Sequence, residues 1–167
     1  MAELKTNAMR MLDKSKTAYQ IYAYDAEDGQ IHGTAVAEKI GQPEEKVYKT
    51  LVAHQGAANF VFIIPVAEEL DLKKAAKATG VKKLEMLPLK DLQQQTGYVR
   101  GGCSPVGMKK LFPTFIDSRA ESLDTILVSA GKIGMQMEIV PQRLAEQVKG
   151  KFAPLIREGG DEGEEFN

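Results

Sequence analysis

Two apolar runs, Tyr48 to His54 and Phe60 to Pro65, stand either side of the short stretch Gln55-Gly56-Ala57-Ala58-Asn59. Each run is strand-like in length and composition, and the glycine-containing stretch between them reads as a turn. So short a connection holds no crossover helix, so strand follows strand directly. That pairing constrains the fold more than any other feature. It argues against a simple doubly wound parallel sheet, in which helices would separate successive strands.

The rest of the pattern agrees. Thr6 reads as an N-cap, followed by an apolar stripe of Ala8, Met11 and Leu12. Ala18 to Tyr24 is expected as a first strand, with Tyr19, Ile21 and Ala23 alternating against Gln20, Tyr22 and Tyr24. Thr34 is expected to cap a short helix through Ile40, closed by Gly41. Further helices are expected at Asp71 to Thr79, stopped by Gly80, at Pro88 to Gln95, and from Pro141 through Val148. Later strands are expected at Phe115 to Asp117, Thr125 to Ser129 and Gln136 to Val140. Short helices alternating irregularly with back-to-back strands predict a mixed α/β fold, a curled, barrel-like mixed sheet with helices outside.

At 167 residues the chain suits one domain, expected over residues 1–157. The formal charge of −1 conceals an asymmetry: residues 158–167 hold five of the 23 acidic side chains and no base. The remaining 18 acids face 22 Lys and Arg, a body of +4. This acidic tail, rich in glycine and with nothing to bury, is expected to be disordered. A mildly basic body is compatible with a phosphate-bearing partner but does not identify one. One cysteine, Cys103, permits no internal disulfide and suits a reducing cytoplasm. The first residues lack an apolar leader and no apolar run approaches membrane-spanning length, so a cytoplasmic protein without membrane contact is expected.

Three features can carry chemistry. In Val47-Tyr48-Lys49-Thr50-Leu51, strand alternation sets Lys49 on the face of Val47 and Leu51. An ammonium at the edge of an apolar face either snorkels to water or holds an anion such as a tRNA phosphate. The second is Gly97-Tyr98-Val99-Arg100-Gly101-Gly102-Cys103-Ser104-Pro105-Val106-Gly107. Its glycines let backbone N–H groups approach a ligand, and Pro105 preorganises the loop. It reads either as a structural turn or as a cradle for a carbonyl oxygen developing negative charge. It is neither a Walker A loop nor a dinucleotide fingerprint. The third is Ser129-Ala130-Gly131-Lys132, at the end of the apolar strand Ile126-Leu127-Val128, a place for a site or for a plain turn. Lys73, Lys74 and Lys77, with Lys82, Lys83, Lys109 and Lys110, could follow a phosphate backbone or form a solvated face.

His32, His54 and Cys103 make no zinc-type ligand set, so no metal and no cofactor are expected. There is no G-x-S-x-G elbow. Cys103 is not expected to be a nucleophile, since it lies in a loop whose glycines already account for it.

Four blocks bring the chain into a known family. Lys49-Thr50-Leu51-Val52, Leu72-Lys73-Lys74-Ala75-Ala76-Lys77, the glycine loop from Gly97 to Gly107, and Val128-Ser129-Ala130-Gly131-Lys132 resemble the YbaK/EbsC family in order and spacing. The similarity spans about Thr6 to Ile156. It implies a barrel-like mixed sheet flanked by helices, also found as the editing insertion of bacterial prolyl-tRNA synthetase. It implies deacylation of Cys-tRNA(Pro), and less discriminately of Cys-tRNA(Cys), in association with prolyl-tRNA synthetase. Lys49 matches the lysine that anchors the tRNA 3′-end. Gly101 and its loop (Gly102, Ser104, Pro105, Gly107), Ser129 and Gly131 match residues lining the aminoacyl pocket, with Tyr24 and Thr50 at lesser positions. His32 stands where better-known members carry phenylalanine, Cys103 replaces an aliphatic residue, and Ala130 replaces glycine; His32 makes the pocket wall more polar.

The implied mechanism is substrate-assisted: the cysteine thiol attacks its own ester carbonyl and expels the tRNA 3′-end. The protein supplies proximity and oxyanion stabilisation. Two rival readings are an editing deacylase for another amino acid, such as alanine, using a bound water, and a non-catalytic module that binds tRNA or a synthetase.

Overall fold

The computed structural model describes residues 5–158; the expected acidic tail, apart from Glu158, lies outside them. The hairpin that dominates the sequence is the centre of the fold. Strand β2 (Tyr48–Gln55) pairs antiparallel with β3 (Ala58–Pro65), from Tyr48 opposite Pro65 to Gln55 opposite Ala58. Strand β5 (Thr114–Asp117) joins β3 in parallel, β8 (Lys151–Ala153) joins β5 in parallel, and the two-residue β4 (Glu85–Met86) edges β2 at Ala53 and His54. A second sheet holds β1 (Gln20–Ala23), β7 (Met135–Ile139) and β6 (Ile126–Lys132), in that order and antiparallel. The expected mixed α/β core is therefore present. The curled sheet is carried by two sheets linked through an isolated parallel bridge, Val47 to Leu127.

Alternation along β2 divides the core. Tyr48 and Val52, with Val61 and Ile63 of β3, face Ile126, Val128 and Ala130 of β6 and Met137 and Ile139 of β7, filling the space between the sheets. Ala53, Phe62 and Ile64 face the other way, toward Ala75 and Ala76 of helix α3 (Leu72–Thr79). Phe62 and Phe115 stack on that side with ring centroids 5.8 Å apart. A third, small cluster of Ala37, Val47, Val66 and Leu127 lies where the sheets meet. It is covered by helix α2 (Gly33–Ile40).

The helices start and stop for local reasons. Helix α1 (Asn7–Lys14) begins at Thr6, whose Oγ1 accepts the Met9 N–H at 3.1 Å and donates to the Ala130 carbonyl at 2.6 Å, tying the helix to β6. Asp71 caps α3 by accepting from the N–H groups of Lys73 and Lys74. Pro141 opens α5 (Pro141–Val148) at its first turn. Helix α4 (Leu89–Thr96) follows Pro88.

One cap differs from expectation. Helix α2 starts from His32, not Thr34: Val36 N–H donates to the His32 carbonyl at 3.0 Å, so Thr34 already lies in the first turn. The reason is steric. A Cβ on Gly33 would lie 2.3 Å from Val66 Cγ1 and 2.4 Å from Val66 Cβ, so the first turn rests directly on the chain leaving β3.

That contact supplies a prediction. Gly33→Ala would be helpful in an ordinary helix, but here it is expected to destabilise the protein by about 1–3 kcal/mol through overpacking. In urea unfolding, Gly33→Ala combined with Val66→Ala should be less destabilised than the two single changes summed. Simple additivity would refute the contact.

Candidate active site at the parting of the two sheets

The Val47–Leu127 bridge is followed by divergence. Lys49 and Ser129 each lie two residues past this bridge on their own strands, and no further pairing joins β2 to β6. Lys49 shares the face of Val47, and Ser129 that of Leu127, so both lie on the faces turned away from the core between the sheets. Strand β6 is distorted at this point, with a register shift between Ser129 and Lys132. Gly131 permits it with φ of 99°, and its N–H donates to Ser129 Oγ at 3.1 Å.

Close contacts tie together the segments that carry the other candidate residues and form a perimeter. Val66 N–H donates to the Val47 carbonyl at 2.9 Å, and Gly33 rests on Val66. Two residues earlier, Ile31 touches the glycine loop: a Cβ on Gly101 would be 2.9 Å from Ile31 Cδ1. On Gly102 it would be 2.8 Å from the backbone nitrogen of Ile133 and 3.1 Å from the carbonyl carbon of Lys132. Tyr24 closes the ring, its N–H donating to the Gly134 carbonyl at 2.9 Å. Gly102 is thus required where it stands, since a side chain would push the loop off the β6–β7 turn, while Gly101 is favoured by its φ of 84°.

Several polar side chains of these strands lack partners, on both faces of β2. The Lys49 ammonium is half-buried and makes no hydrogen bond or ion pair with any described residue. Burial lowers its pKa from the ordinary lysine value, while Glu69 and then Glu68 act in the opposite direction. Tyr24 Oη, Thr50 Oγ1 and Gln136 Oε1 are buried without a partner, as is Tyr48 Oη. Orphaned buried atoms of this kind are uncommon and each needs an explanation, such as water or a ligand. Ser129 is 9% exposed and accepts from Gly131, which leaves its own proton free to donate. The Gly101 N–H finds no backbone acceptor among the described residues.

The other expected residues are distributed unevenly. His32 lies on the perimeter but exposed, its ring nitrogens 3.2 Å from Thr34 Oγ1 and 3.1 Å from Gln30 Oε1. Thr50 pairs with Ile63 and shares the face of Tyr48 and Val52, opposite to Lys49. Ser104 is fully buried, accepting the Val106 N–H within its own loop. Pro105 is buried, and Gly107 sits against the start of α1, where a Cβ would lie 2.9 Å from Ala8 N. Tyr98 holds this half of the loop by donating to the Val106 carbonyl at 2.7 Å; burial pushes its pKa up to about 12. Burial likewise pushes the Cys103 thiol up to about 11, which leaves it protonated and inert. Lys74, one of the basic-face candidates, is engaged by Glu158 at 2.9 Å and the Ile156 carbonyl at 2.8 Å. Among the described residues no cluster of His, Cys, Asp or Glu could hold a metal ion, and no helix is long and apolar enough to cross a membrane.

Gln136 escaped the sequence reading. It pairs with Tyr22 on one side and Ser129 on the other, and is 6% exposed with its Oε1 unpartnered. A polar side chain at a strand position otherwise flanked by methionines was the available signal. Ile31 and Val66, which complete the perimeter, look in sequence like ordinary apolar residues.

Residues 32–146 match the aminoacyl-tRNA editing domain family. The chain is 47% identical over 152 residues to a protein of Enterococcus faecalis, EbsC, named as a candidate Cys-tRNA(Pro)/Cys-tRNA(Cys) deacylase; the match covers 90% of this chain and 93% of EbsC. Among solved structures, a candidate trans-editing enzyme for prolyl-tRNA synthetase superimposes with a TM-score of 0.80 at 19% identity, covering 93% of this chain and 100% of the other. The hypothetical protein APE2540 gives 0.83 at 18% identity, covering 91% and 100%. At those identities the two structures establish the fold, and the match along the sequence establishes the kinship. The chain belongs to the aminoacyl-tRNA editing domain family.

Proposed function

We propose that this protein is a trans-acting aminoacyl-tRNA deacylase that releases cysteine from mischarged Cys-tRNA(Pro), and to a lesser extent from Cys-tRNA(Cys). The observation that carries the reading is Lys49, a half-buried ammonium with no partner among the described residues, two residues past the bridge that joins β2 to β6. A cation held in that state favours an anionic ligand, and the 3′-end of a tRNA brings phosphates. The kinship with EbsC supports the choice of substrate.

In this reading Lys49 anchors the tRNA end. The Gly101 N–H, in a loop that admits no side chain at Gly102, stabilises the ester oxygen as charge develops. Ser129 donates to the aminoacyl group, with Tyr24, Gly102 and Gly131 forming walls and His32 and Thr50 at the margin. The loop residues Ser104, Pro105 and Gly107 act by holding the loop in place. The substrate sulfur forms a bond to its own ester carbonyl carbon, the carbon–oxygen bond to the tRNA breaks, and the thiol proton passes to the departing 3′-oxygen. The resulting cyclic thioester then takes up water and opens to cysteine. Proximity does most of this work. The protein needs no cofactor for it and acts in the cytoplasm beside prolyl-tRNA synthetase, which supplies recognition of the tRNA body.

Two rivals are separated by one assay. An editor of alanine would use a bound water and would not need the substrate thiol; a binding module would release nothing. Wild type is expected to deacylate Cys-tRNA(Pro) while sparing Ala-tRNA(Pro), and Lys49→Ala to lose at least roughly 100-fold in rate, the scale of one lost transition-state contact. Equal loss of alanine supports the water-using editor, and intact Cys-tRNA(Pro) supports the binding module.

Lys49 also couples function to stability. Its pKa falls on folding, so the folded state binds fewer protons than the unfolded state. The penalty is fully present below the folded pKa and disappears as pH rises through it toward the unfolded value. Lys49→Met should therefore unfold no lower than wild type at pH 7, and any advantage should shrink above pH 10; calorimetric melting at both pH values checks this. Cys103→Ala should keep deacylation within about threefold, since a buried neutral thiol takes no part; a loss near that of Lys49→Ala would place the thiol in the chemistry.

A further inference from the structure

We propose that Arg100 and Lys132 form a phosphate clamp at the mouth of the site, which receives the backbone phosphodiesters of the RNA strand that carries the ester. The inference rests on the reading of the substrate as an aminoacyl-tRNA. Arg100 immediately precedes Gly101, and Lys132 immediately follows Gly131. The chain brings them together because Gly102 lies against the β6–β7 turn, where its Cβ would be 3.3 Å from Lys132 Cα. Two cations far apart in sequence thus stand on adjoining segments of the perimeter.

Both side chains are exposed, and neither forms an ion pair or hydrogen bond with a described residue. This distinguishes them from Lys39, Lys46 and Lys74, whose ammonium groups are held by Asp28, Glu138 and Glu158. Val99, beside Arg100, is 42% exposed. An apolar surface next to a guanidinium suits a nucleotide, which offers a ring face and a phosphate together. Beside Lys49 as the anchor of the tRNA end, two further cations supply affinity and register without reading base sequence.

The test is binding of uncharged tRNA(Pro) by fluorescence anisotropy across a KCl series, with wild type, the double variant Arg100→Gln/Lys132→Gln, and a control of equal charge, Lys90→Gln/Lys151→Gln. Lys90 and Lys151 are also exposed. The clamp variant is expected to bind about tenfold more weakly at low salt. Its log–log salt dependence should flatten by about 1.4, two contacts at roughly 0.7 each for a single strand. The control should match wild type. In deacylation, the rate on Cys-tRNA(Pro) relative to the phosphate-free cysteinyl ester of adenosine should fall about tenfold, mostly through KM.

An unchanged salt slope, or equal weakening by the control pair, overturns the clamp. Binding does not require turnover, so a wild-type protein that bound tRNA through these residues yet released no amino acid would overturn the deacylase and leave the clamp standing. Melting temperatures within a few degrees of wild type confirm that both double variants are folded.

Discussion

Val47 and Leu127 share one parallel bridge, and beyond it β2 and β6 part. The small cluster of Ala37, Val47, Val66 and Leu127 holds the strands together at that point, with α2 laid across it. Past the cluster no further bridge joins the two strands: β6 shifts register between Ser129 and Lys132, and β4 reaches β2 only at Ala53 and His54. An unpaired edge between packed sheets is normally a liability. Here Gly102 of the glycine loop packs against the backbone of the β6–β7 turn, and the Ile31–Gly33 segment touches Gly101 and Val66, so the segments around the edge are tied to one another.

Local chemistry made most of the framework readable. The hairpin, the Asp71 cap and the Pro141 start are written in adjacent residues, and helix α5 spans Pro141–Val148 as its proline and apolar spacing suggest. Elements too short to carry a period were not visible: β4 has two residues and β8 three. The start of α2 was misplaced because its cause, Val66 against Gly33, is a contact between residues 33 apart in the chain. The site behaves in the same way. The face of Lys49 follows from alternation alone, but its place two residues past a bridge to the strand of Ser129 depends on a pairing between distant segments, and in sequence only the family resemblance relates the two. Gln136 depends on the same sheet register and stayed hidden.

The polar groups that the fold leaves unsatisfied are placed against stability. Each buried donor or acceptor without a partner costs about 1–3 kcal/mol relative to one that is paired, and the Lys49 ammonium loses hydration with only distant carboxylates in return. Apolar residues at these positions would stabilise the empty protein. Their placement is reasonable if a ligand completes the hydrogen bonding, since binding to the folded state alone then adds to stability. Unsatisfied groups that a ligand could complete are a common mark of a functional site.

What the protein lacks near this site limits how the ester can be broken. Ser129 Oγ accepts from a backbone N–H, and no described histidine or lysine stands within hydrogen-bonding distance to take its proton. Both His32 ring nitrogens lie beside Gln30 and Thr34, and His54 Nδ1 faces the Gly56 carbonyl. Cys103 is buried with its thiol pushed up to about 11. A serine without a base and a cysteine without a thiolate are both poor nucleophiles. The attacking atom is therefore best supplied from outside the chain, by the substrate or by water, and a thiol on the substrate has the advantage of arriving already attached beside the carbonyl. The two sources differ in what they select: attack from the substrate would leave an amino acid that fits but carries no nucleophile uncleaved, whereas a bound water would not.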